Sequence, residues 1–382
     1  MHQLGVPRLP GPGGDGGLTV GIAGGLVALL VAVGAAGAPA TTPAPAPRPA
    51  PDASGLTDAQ LAGQRMVFGF SGSEVPPALV ARIRRGEAGA VILLGANVPS
   101  LAVARRITTR LQRIPRPSAL DEPILVMVDQ EGGLVRRLKG PPHDSAAEIG
   151  RRGPAAARTA GRAAGRLLVD AGANVDLAPV VDVARPGSAL EADDRTFGRD
   201  PARVSGVAVA FATGLREAGV LAAAKHFPGI GAATVSTDVA PVRIDRPRAT
   251  LTRVDLRPFR AVIAHDIPMV MLGTASYPAL DPGRPAALSR RIATDLLRGD
   301  LGFDGVTVSD ALDTPALAPV GSPGDVAVRA ARAGCDLLIH TGYTRGAIAS
   351  GAIRRELRAG RLPRAEAEAA VERILAMRAR LR

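Results

Sequence analysis

Short apolar runs alternate with amphipathic helical stretches along most of this chain. Parallel strands joined by crossover helices produce this alternation, because such strands are buried on both faces and each connection must return to the same edge of the sheet. Eight apolar runs can be counted, at 66–69, 90–94, 124–128, 175–177, 221–224, 269–272, 306–308 and 337–339. Since an α/β barrel closes with eight strands, the sequence predicts a single (β/α)₈ TIM-type barrel.

The segments between the runs carry apolar residues on a 3.6-residue period, which indicates helices. The clearest examples are 101–112, 155–171, 201–218 and 290–297. An open doubly wound sheet is the alternative architecture, but no glycine-rich phosphate loop follows the first run, which disfavours it. With no Trp and 2% aromatic residues, the core must be built from Ala, Val, Leu and Ile.

The first 56 residues differ from the rest of the chain. An uncharged apolar stretch at 18–36 follows Arg8 and precedes Ala38-Pro39-Ala40, so residues 1–40 are interpreted as a signal peptide or a membrane anchor. This predicts a secreted or extracytoplasmic protein, or one tethered to a membrane; a low-complexity N-terminus is the alternative. Residues 41–56 form a Pro/Ala-rich linker. The barrel domain is expected at 57–382, because Thr57 and Gln60 have the spacing of a helix capping box.

The formal net charge of +12 raises the question of an acidic partner. Nucleic acid is disfavoured, because the positive charge is Arg spread along the chain and few aromatic residues are available to stack on bases. The lysines are Lys139 and Lys225 alone. We therefore interpret the charge as a compositional bias, and expect a monomer with no nucleic-acid partner.

Polar residues gather directly after several apolar runs, where a barrel places its active site. The third run leads into Asp129-Gln130-Glu131-Gly132-Gly133, the fifth into Lys225-His226-Phe227-Pro228-Gly229 and the seventh into Ser309-Asp310. A fourth set, at 193–198, lies in the long loop after the fourth run. This placement predicts one catalytic face.

These segments resemble glycoside hydrolase family 3, in particular its bacterial β-N-acetylglucosaminidase branch, over roughly residues 60–381. Five motifs carry the resemblance, and they occur in the same order as in the family. They are residues 128–133 followed by Arg137, residues 178–182, residues 195–198, residues 225–229, and residues 302–306 leading to Ser309-Asp310. It implies a retaining exo-hydrolase that removes terminal β-linked N-acetylhexosamine from cell-wall or chitin-type saccharides. Its partner would be a carbohydrate, and the resemblance implies neither a cofactor nor a metal.

The resemblance also implies roles for individual residues. Asp310 occupies the position of the family's nucleophile, and its alternative role is to cap the following helix. The sugar-binding positions correspond to Asp129, Arg137, Arg195, Lys225 and His226. For the two arginines, a structural ion pair between barrel loops is the alternative.

One loop departs from the family pattern. The family branch continues as Lys-His-Phe-Pro-Gly-His-Gly and then Asp-Ser-His, in which the histidine of Asp-Ser-His is the acid/base and the aspartate orients it. This chain has Ile230 and then Ser236-Thr237-Asp238, so Ser236 stands at the orienting aspartate and Asp238 at the acid/base. Either Asp238 is the general acid, its proton retained by the nearby charge of Asp310 and by partial burial, or the loop has lost its acid. We favour the first alternative, because the nucleophile and the sugar-binding positions are present.

Two other functions stay open at this stage. Loss of the acid would leave a carbohydrate-binding or weakly active degenerate barrel. A β-glucosidase-like hydrolase is the further alternative. It is disfavoured because such family members carry a second domain, and about forty residues follow the eighth run.

Overall fold

Eight parallel strands close into a barrel in the computed structural model, which describes residues 51–381. The barrel strands are β1 (Met66–Phe68), β2 (Ala90–Ile92), β3 (Leu125–Val128), β6 (Val175–Asp176), β7 (Leu221–Phe227), β8 (Met269–Leu272), β9 (Val306–Ser309) and β10 (Leu338–His340). Strand β1 pairs with both β2 and β10, and a bridge between Val308 and Leu337 joins the last two strands. The predicted barrel is therefore confirmed, and an open sheet is excluded.

The remaining two strands form a small hairpin directly after β3. Strands β4 (Gln130–Gly132) and β5 (Val135–Arg136) pair antiparallel. The hairpin lies at the carboxyl end of the barrel and carries part of the candidate site.

Helices surround the barrel. The α-helices are α1 (Asp58–Gln64), α2 (Pro77–Arg84), α3 (Leu101–Arg113), α4 (Ala146–Arg152), α5 (Pro154–Ala171), α6 (Ala189–Ala192), α7 (Pro201–Glu217), α8 (Arg248–Thr250), α9 (Leu256–Ile263), α10 (Pro323–Ala333), α11 (Tyr343–Arg358) and α12 (Arg364–Arg378). Short 3₁₀ segments are Gly95–Asn97, Ser118–Leu120, Ala286–Leu288, Pro315–Val320 and Ala379–Leu381, and π-helical segments are Leu251–Asp255 and Arg291–Asp300. The four predicted helices are present, the last of them as the longer π-helical segment.

The strands are buried on both faces, as parallel barrel strands must be. Along β3, Leu125 and Met127 point into the barrel, whereas Val126 and Val128 pack under the helices. This follows from the two-residue period of a strand. Aliphatic side chains fill both layers, consistent with a core built without Trp.

The packed part of the chain begins before Thr57. The capping box is present, since Gln60 N donates to Thr57 Oγ1 and Thr57 N donates to Gln60 Oε1. Upstream of it, Ala53 and Leu56 are buried in the core, although the predicted linker extends to residue 56. The guanidinium of Arg364 donates to the backbone oxygen of Leu56. Residues 53–56 therefore pack on the barrel.

The export segment predicted at residues 1–40 lies outside the described residues, as does most of the linker. From residue 51 to residue 381, no helix combines the length and the apolar character needed to cross a membrane.

Candidate active site

Strand β7 is longer than the apolar run that predicted it. It extends through Phe227, so Lys225 and His226 lie on the strand itself rather than in the loop after it. Ala223 points into the barrel, and two residues further on Lys225 lies on the same face, at the mouth of the barrel. Both side chains are buried, with relative exposures of 2% for Lys225 and 5% for His226.

Lys225 joins two carboxylates that come from the chain after β3. Its Nζ lies 2.7 Å from Asp129 Oδ1 and 2.7 Å from Glu131 Oε1. Burial alone would lower the pKa of Lys225, but the charges of Asp129 and Glu131 outweigh burial and raise it. Lys225 is therefore a fixed ammonium.

Glu131 is held from two sides. The guanidinium of Arg195 donates to both of its oxygens, at 3.0 Å from Nε and 2.9 Å from Nη2. Burial would raise the pKa of Glu131, but the charges of Lys225 and Arg195 outweigh it and lower the value to about 2. The ion-pair role considered for Arg195 is therefore present, and it ties the long loop after β6 to the hairpin after β3.

His226 is oriented by Asp182. One oxygen of this buried carboxylate lies 2.8 Å from His226 Nδ1 and accepts the backbone N–H of His226 at 3.1 Å. The other oxygen accepts the N–H of Ile230 at 2.6 Å. Because an ionised carboxylate only accepts hydrogen bonds, it places a proton on Nδ1 and leaves Nε2 as the ring atom available to a ligand.

Asp310 follows the last residue of β9 and is partly buried. Its Oδ1 accepts the N–H of Ala311 at 2.7 Å. Burial raises the pKa of Asp310; the nearby His226 opposes that rise and the charge of Asp238 adds to it. Asp310 and Asp238 are therefore close enough for their charges to interact.

Asp238 lies on the loop that departs from the family pattern. At the base of the loop, Gly231 packs so closely on the backbone of Val183 that an added Cβ would lie 2.0 Å from the Val183 carbonyl oxygen. Further along, Thr314 Oγ1 donates to the carbonyl of Thr237 at 2.6 Å. These two contacts anchor the loop. Asp238 itself is exposed. The partial burial expected for Asp238 is therefore wrong, because the loop places this side chain at the rim.

All seven sequence-predicted site residues line one cavity of about 270 Å³. They are Asp129, Arg137, Arg195, Lys225, His226, Asp238 and Asp310. Barrel-interior side chains such as Met271 and Ile339 form part of its floor. Within residues 51–381, no three His, Cys, Asp or Glu side chains are arranged to hold a metal ion.

Arg137 has a side-chain donor with no hydrogen-bond partner among the described residues. Its Nε lies 3.7 Å from Asp129 Oδ2, beyond hydrogen-bond distance, and has no hydrogen-bond partner among residues 51–381. This nitrogen is itself buried, so Arg137 contributes its positive charge to the cavity rather than an exposed Nε donor.

Glu131, Asp182 and Asp176 were not predicted as site residues. Lys225 and Arg195 need carboxylate partners where they are removed from water, and this requirement could have identified Glu131, which lies in the 128–133 motif. Asp176, at the end of β6, accepts the N–H of Gln130 at 3.0 Å, and burial raises its pKa to about 8. Asp176 lies outside the motifs that carry the family resemblance.

The protein-family model named glycosyl hydrolase family 3 N terminal domain matches residues 64–377. The chain belongs to glycosyl hydrolase family 3. This family 3 hydrolase is 36% identical over 329 residues to an uncharacterized secreted glycosyl hydrolase of Arthroderma benhamiae, covering 84% of this chain and 93% of the relative.

Solved structures agree with the assignment. A β-N-acetylglucosaminidase of this family from Paenibacillus sp. superposes with a TM-score of 0.81 at 32% identity, over 85% of this chain and 63% of that one. A β-N-acetylhexosaminidase from Beutenbergia cavernae gives 0.78 at 32% identity, over 85% of this chain and 99% of that one. The resemblance read from the motifs is confirmed, and the chain is a glycosidase.

Proposed function

We propose that this family 3 hydrolase removes single terminal β-linked N-acetylhexosamine residues with retention of configuration. The observation that carries the proposal is the shared cavity, which brings Asp310 and Asp238 together with the sugar-binding candidates. A cavity of this size accommodates the single sugar at a chain end. The related structures from Paenibacillus sp. and Beutenbergia cavernae support the choice of sugar.

Asp310 is the nucleophile in this proposal. Its carboxylate attacks the anomeric carbon while Asp238 donates a proton to the glycosidic oxygen, so that the aglycone leaves as a neutral alcohol. Asp238, now a carboxylate, then removes a proton from water, which attacks the anomeric carbon from the face that the aglycone left and displaces Asp310. The product keeps the β configuration.

Lys225, Asp129, Glu131 and Arg195 are joined by ion pairs, and this Lys225 cluster holds the sugar in place. His226 Nε2 is free to hydrogen-bond a sugar hydroxyl, and the charged side chains of Lys225, Asp129 and Arg137 line the same cavity. Because the ion pairs are made before substrate arrives, these groups need little reorganisation on binding.

We further propose export from the cell. The apolar segment at 18–36 and the secreted Arthroderma benhamiae relative support this location.

Initial rates on two matched chromogenic substrates test the function. Purified protein should hydrolyse 4-nitrophenyl N-acetyl-β-glucosaminide with kcat/KM at least ~100-fold above that for 4-nitrophenyl β-glucoside, because a polar site discriminates strongly against an analogue that leaves its groups unpaired. Proton NMR of the first product should show the β anomer. Preference for the glucoside, or initial release of the α anomer, contradicts the proposal.

A further inference from the structure

The nucleophile loop, residues 310–314, is bonded to the barrel on both sides. Asp310 N donates to the carbonyl of Leu272, the last residue of β8, at 2.9 Å. Leu312 N donates to the carbonyl of Ile339 in β10, also at 2.9 Å. The backbone that carries the nucleophile is therefore held between two strands.

Asp313 adds a further attachment to the same loop. Its carboxylate, only 2% exposed, accepts the N–H of Thr341 at 3.1 Å and the hydroxyl of Thr341 at 2.9 Å. The guanidinium of Arg345 donates to the backbone oxygen of Asp313 at 3.0 Å. Because Thr341 directly follows β10, these bonds fix the nucleophile loop to the end of that strand.

The acid loop, residues 230–241, is held at one point near Asp238. Within residues 51–381, the hydrogen bonds made by 234–241 are local ones to Ser236, except for the bond from Thr314 Oγ1 to the carbonyl of Thr237. Thr237 is buried, whereas Asp238 beside it is exposed. A single hydrogen bond from the nucleophile loop therefore secures the chain next to Asp238.

The hydroxyl of Thr314 is not used for a local cap. Thr314 is the N-cap of the 3₁₀ segment Pro315–Val320, and a threonine in that position commonly accepts a backbone N–H of its own helix. Thr314 makes no such bond and donates to Thr237 instead. Both residues are buried, so water competes little for this hydrogen bond.

We infer that Thr314 is a positioning residue that holds the acid loop at the distance from the nucleophile that catalysis requires. The inference rests on the proposed function, in which Asp310 is the nucleophile and Asp238 is the acid. Retaining glycosidases place their two carboxyl groups about 5 to 5.5 Å apart. Here the two groups follow different strands, β9 and β7, and the bond from Thr314 to Thr237 joins their loops.

Thr314→Val and Thr314→Ser test this role. Valine has nearly the shape of threonine but no hydroxyl, whereas serine keeps the donor. With N,N′-diacetylchitobiose, Thr314→Val should lower kcat/KM about 10- to 100-fold, because a misplaced general acid loses much of its effect. With 2,4-dinitrophenyl N-acetyl-β-glucosaminide, whose leaving group needs no proton, kcat/KM should stay within about twofold. Thr314→Ser should keep the parental rate on both substrates.

Thr108→Val is the matched control. Thr108 is also buried, and its Oγ1 donates to the carbonyl of Ala171 at 2.8 Å, which joins α3 to the end of α5 outside the cavity. This variant should lower the melting temperature about as much as Thr314→Val does. It should leave both rates unchanged.

A double variant shows whether Thr314 acts through Asp238. Residues that work as one unit give non-additive losses. In the Asp238→Ala background, Thr314→Val should therefore lower the remaining disaccharide rate by less than about twofold.

The outcomes separate the two proposals. The positioning role alone is overturned by a parental disaccharide rate in Thr314→Val, by an equal loss on both substrates, or by a Thr314→Ser variant as slow as Thr314→Val. The same selective loss in Thr108→Val, or a full further loss in the Asp238→Ala background, overturns it as well. A parental disaccharide rate in Asp238→Ala overturns the proposed acid, and the role of Thr314 with it.

Discussion

The ammonium nitrogen of Lys225 lies 2.7 Å from a carboxylate oxygen of Glu131, and both side chains are only 3% exposed. Arg195 shares the same carboxylate. Two cations, one on β7 and one in the loop after β6, thus pair with one buried anion. The shape of the cavity follows from this arrangement, because Glu131 joins the hairpin after β3 to β7 and to the loop after β6.

Glu131→Gln should be strongly destabilising, because Arg195 loses its carboxylate partner and buried Lys225 keeps only Asp129. Breaking such a pair typically costs about 3–5 kcal/mol, which chemical denaturation would measure as a loss in the free energy of unfolding. Glu191→Gln is the matched control, since Glu191 pairs with Arg199 at the surface and should change stability little. Equal losses in the two variants would show that the cluster does not hold the loops together.

Asp176 should make stability fall as the pH rises. Burial raises its folded-state pKa to about 8, whereas an unfolded aspartate titrates near pH 4. Between these values the folded state binds more protons than the unfolded state, so the contribution is full below about pH 4 and is lost toward about pH 8. Asp176→Asn should remove this part of the pH dependence.

Urea unfolding at several pH values would measure the effect. Relative to the parent, Asp176→Asn should gain stability between about pH 5 and pH 8. Asp170→Asn, at an exposed position on α5, is the control. A stability difference between Asp176→Asn and the parent that stays constant over this range would contradict the protonated state assigned to Asp176.

Asp238→Ala should separate substrates by leaving group. A general acid contributes about 10² to 10⁴ in rate and matters most for poor leaving groups. Hydrolysis of N,N′-diacetylchitobiose should therefore collapse, while 4-nitrophenyl N-acetyl-β-glucosaminide still forms the intermediate. Added azide should restore turnover on the aryl substrate, because this anion attacks without a base.

Asp245→Ala is the control for this experiment, because Asp245 is the next carboxylate along the chain and is exposed. It should retain parental rates on both substrates. If Asp238→Ala hydrolyses the disaccharide as fast as the parent, the acid lies elsewhere.

Truncation should locate the start of the folded unit. Deleting residues 1–50 should leave the melting temperature unchanged, since a Pro/Ala-rich segment offers little to bury in a core. Deleting residues 1–56 should lower it by several degrees, because it removes buried Ala53 and Leu56. Equal melting temperatures in the two forms would show that residues 53–56 contribute nothing.

Much of the barrel could be predicted because each strand is a short apolar run between helical patterns. The end of β7 could not be predicted in this way, because Lys225 and His226 are polar, as residues at the start of a loop commonly are. Their place on the strand follows from pairing with neighbouring backbone, such as the bridge between Val180 and Lys225. Such pairing is a tertiary interaction that local pattern does not contain.

That the seven candidate residues share one cavity could be predicted from motifs, but their partners could not all be. Asp182 stood in a quoted motif, yet its contact with His226 joins residues from two different strand ends. The exposure of Asp238 depends on how the loop is anchored by Thr314, more than seventy residues further along the chain. Contacts of this kind require the folded chain.

Covalent trapping tests the central claim most directly. The protein would be incubated with a fluorinated N-acetylglucosamine analogue that carries a good leaving group, and the labelled peptide identified by mass spectrometry. We predict one sugar per chain, attached to Asp310, and no label or turnover in Asp310→Asn. A label on any other residue, or an Asp310→Asn variant that still hydrolyses substrate at the parental rate, would contradict the account.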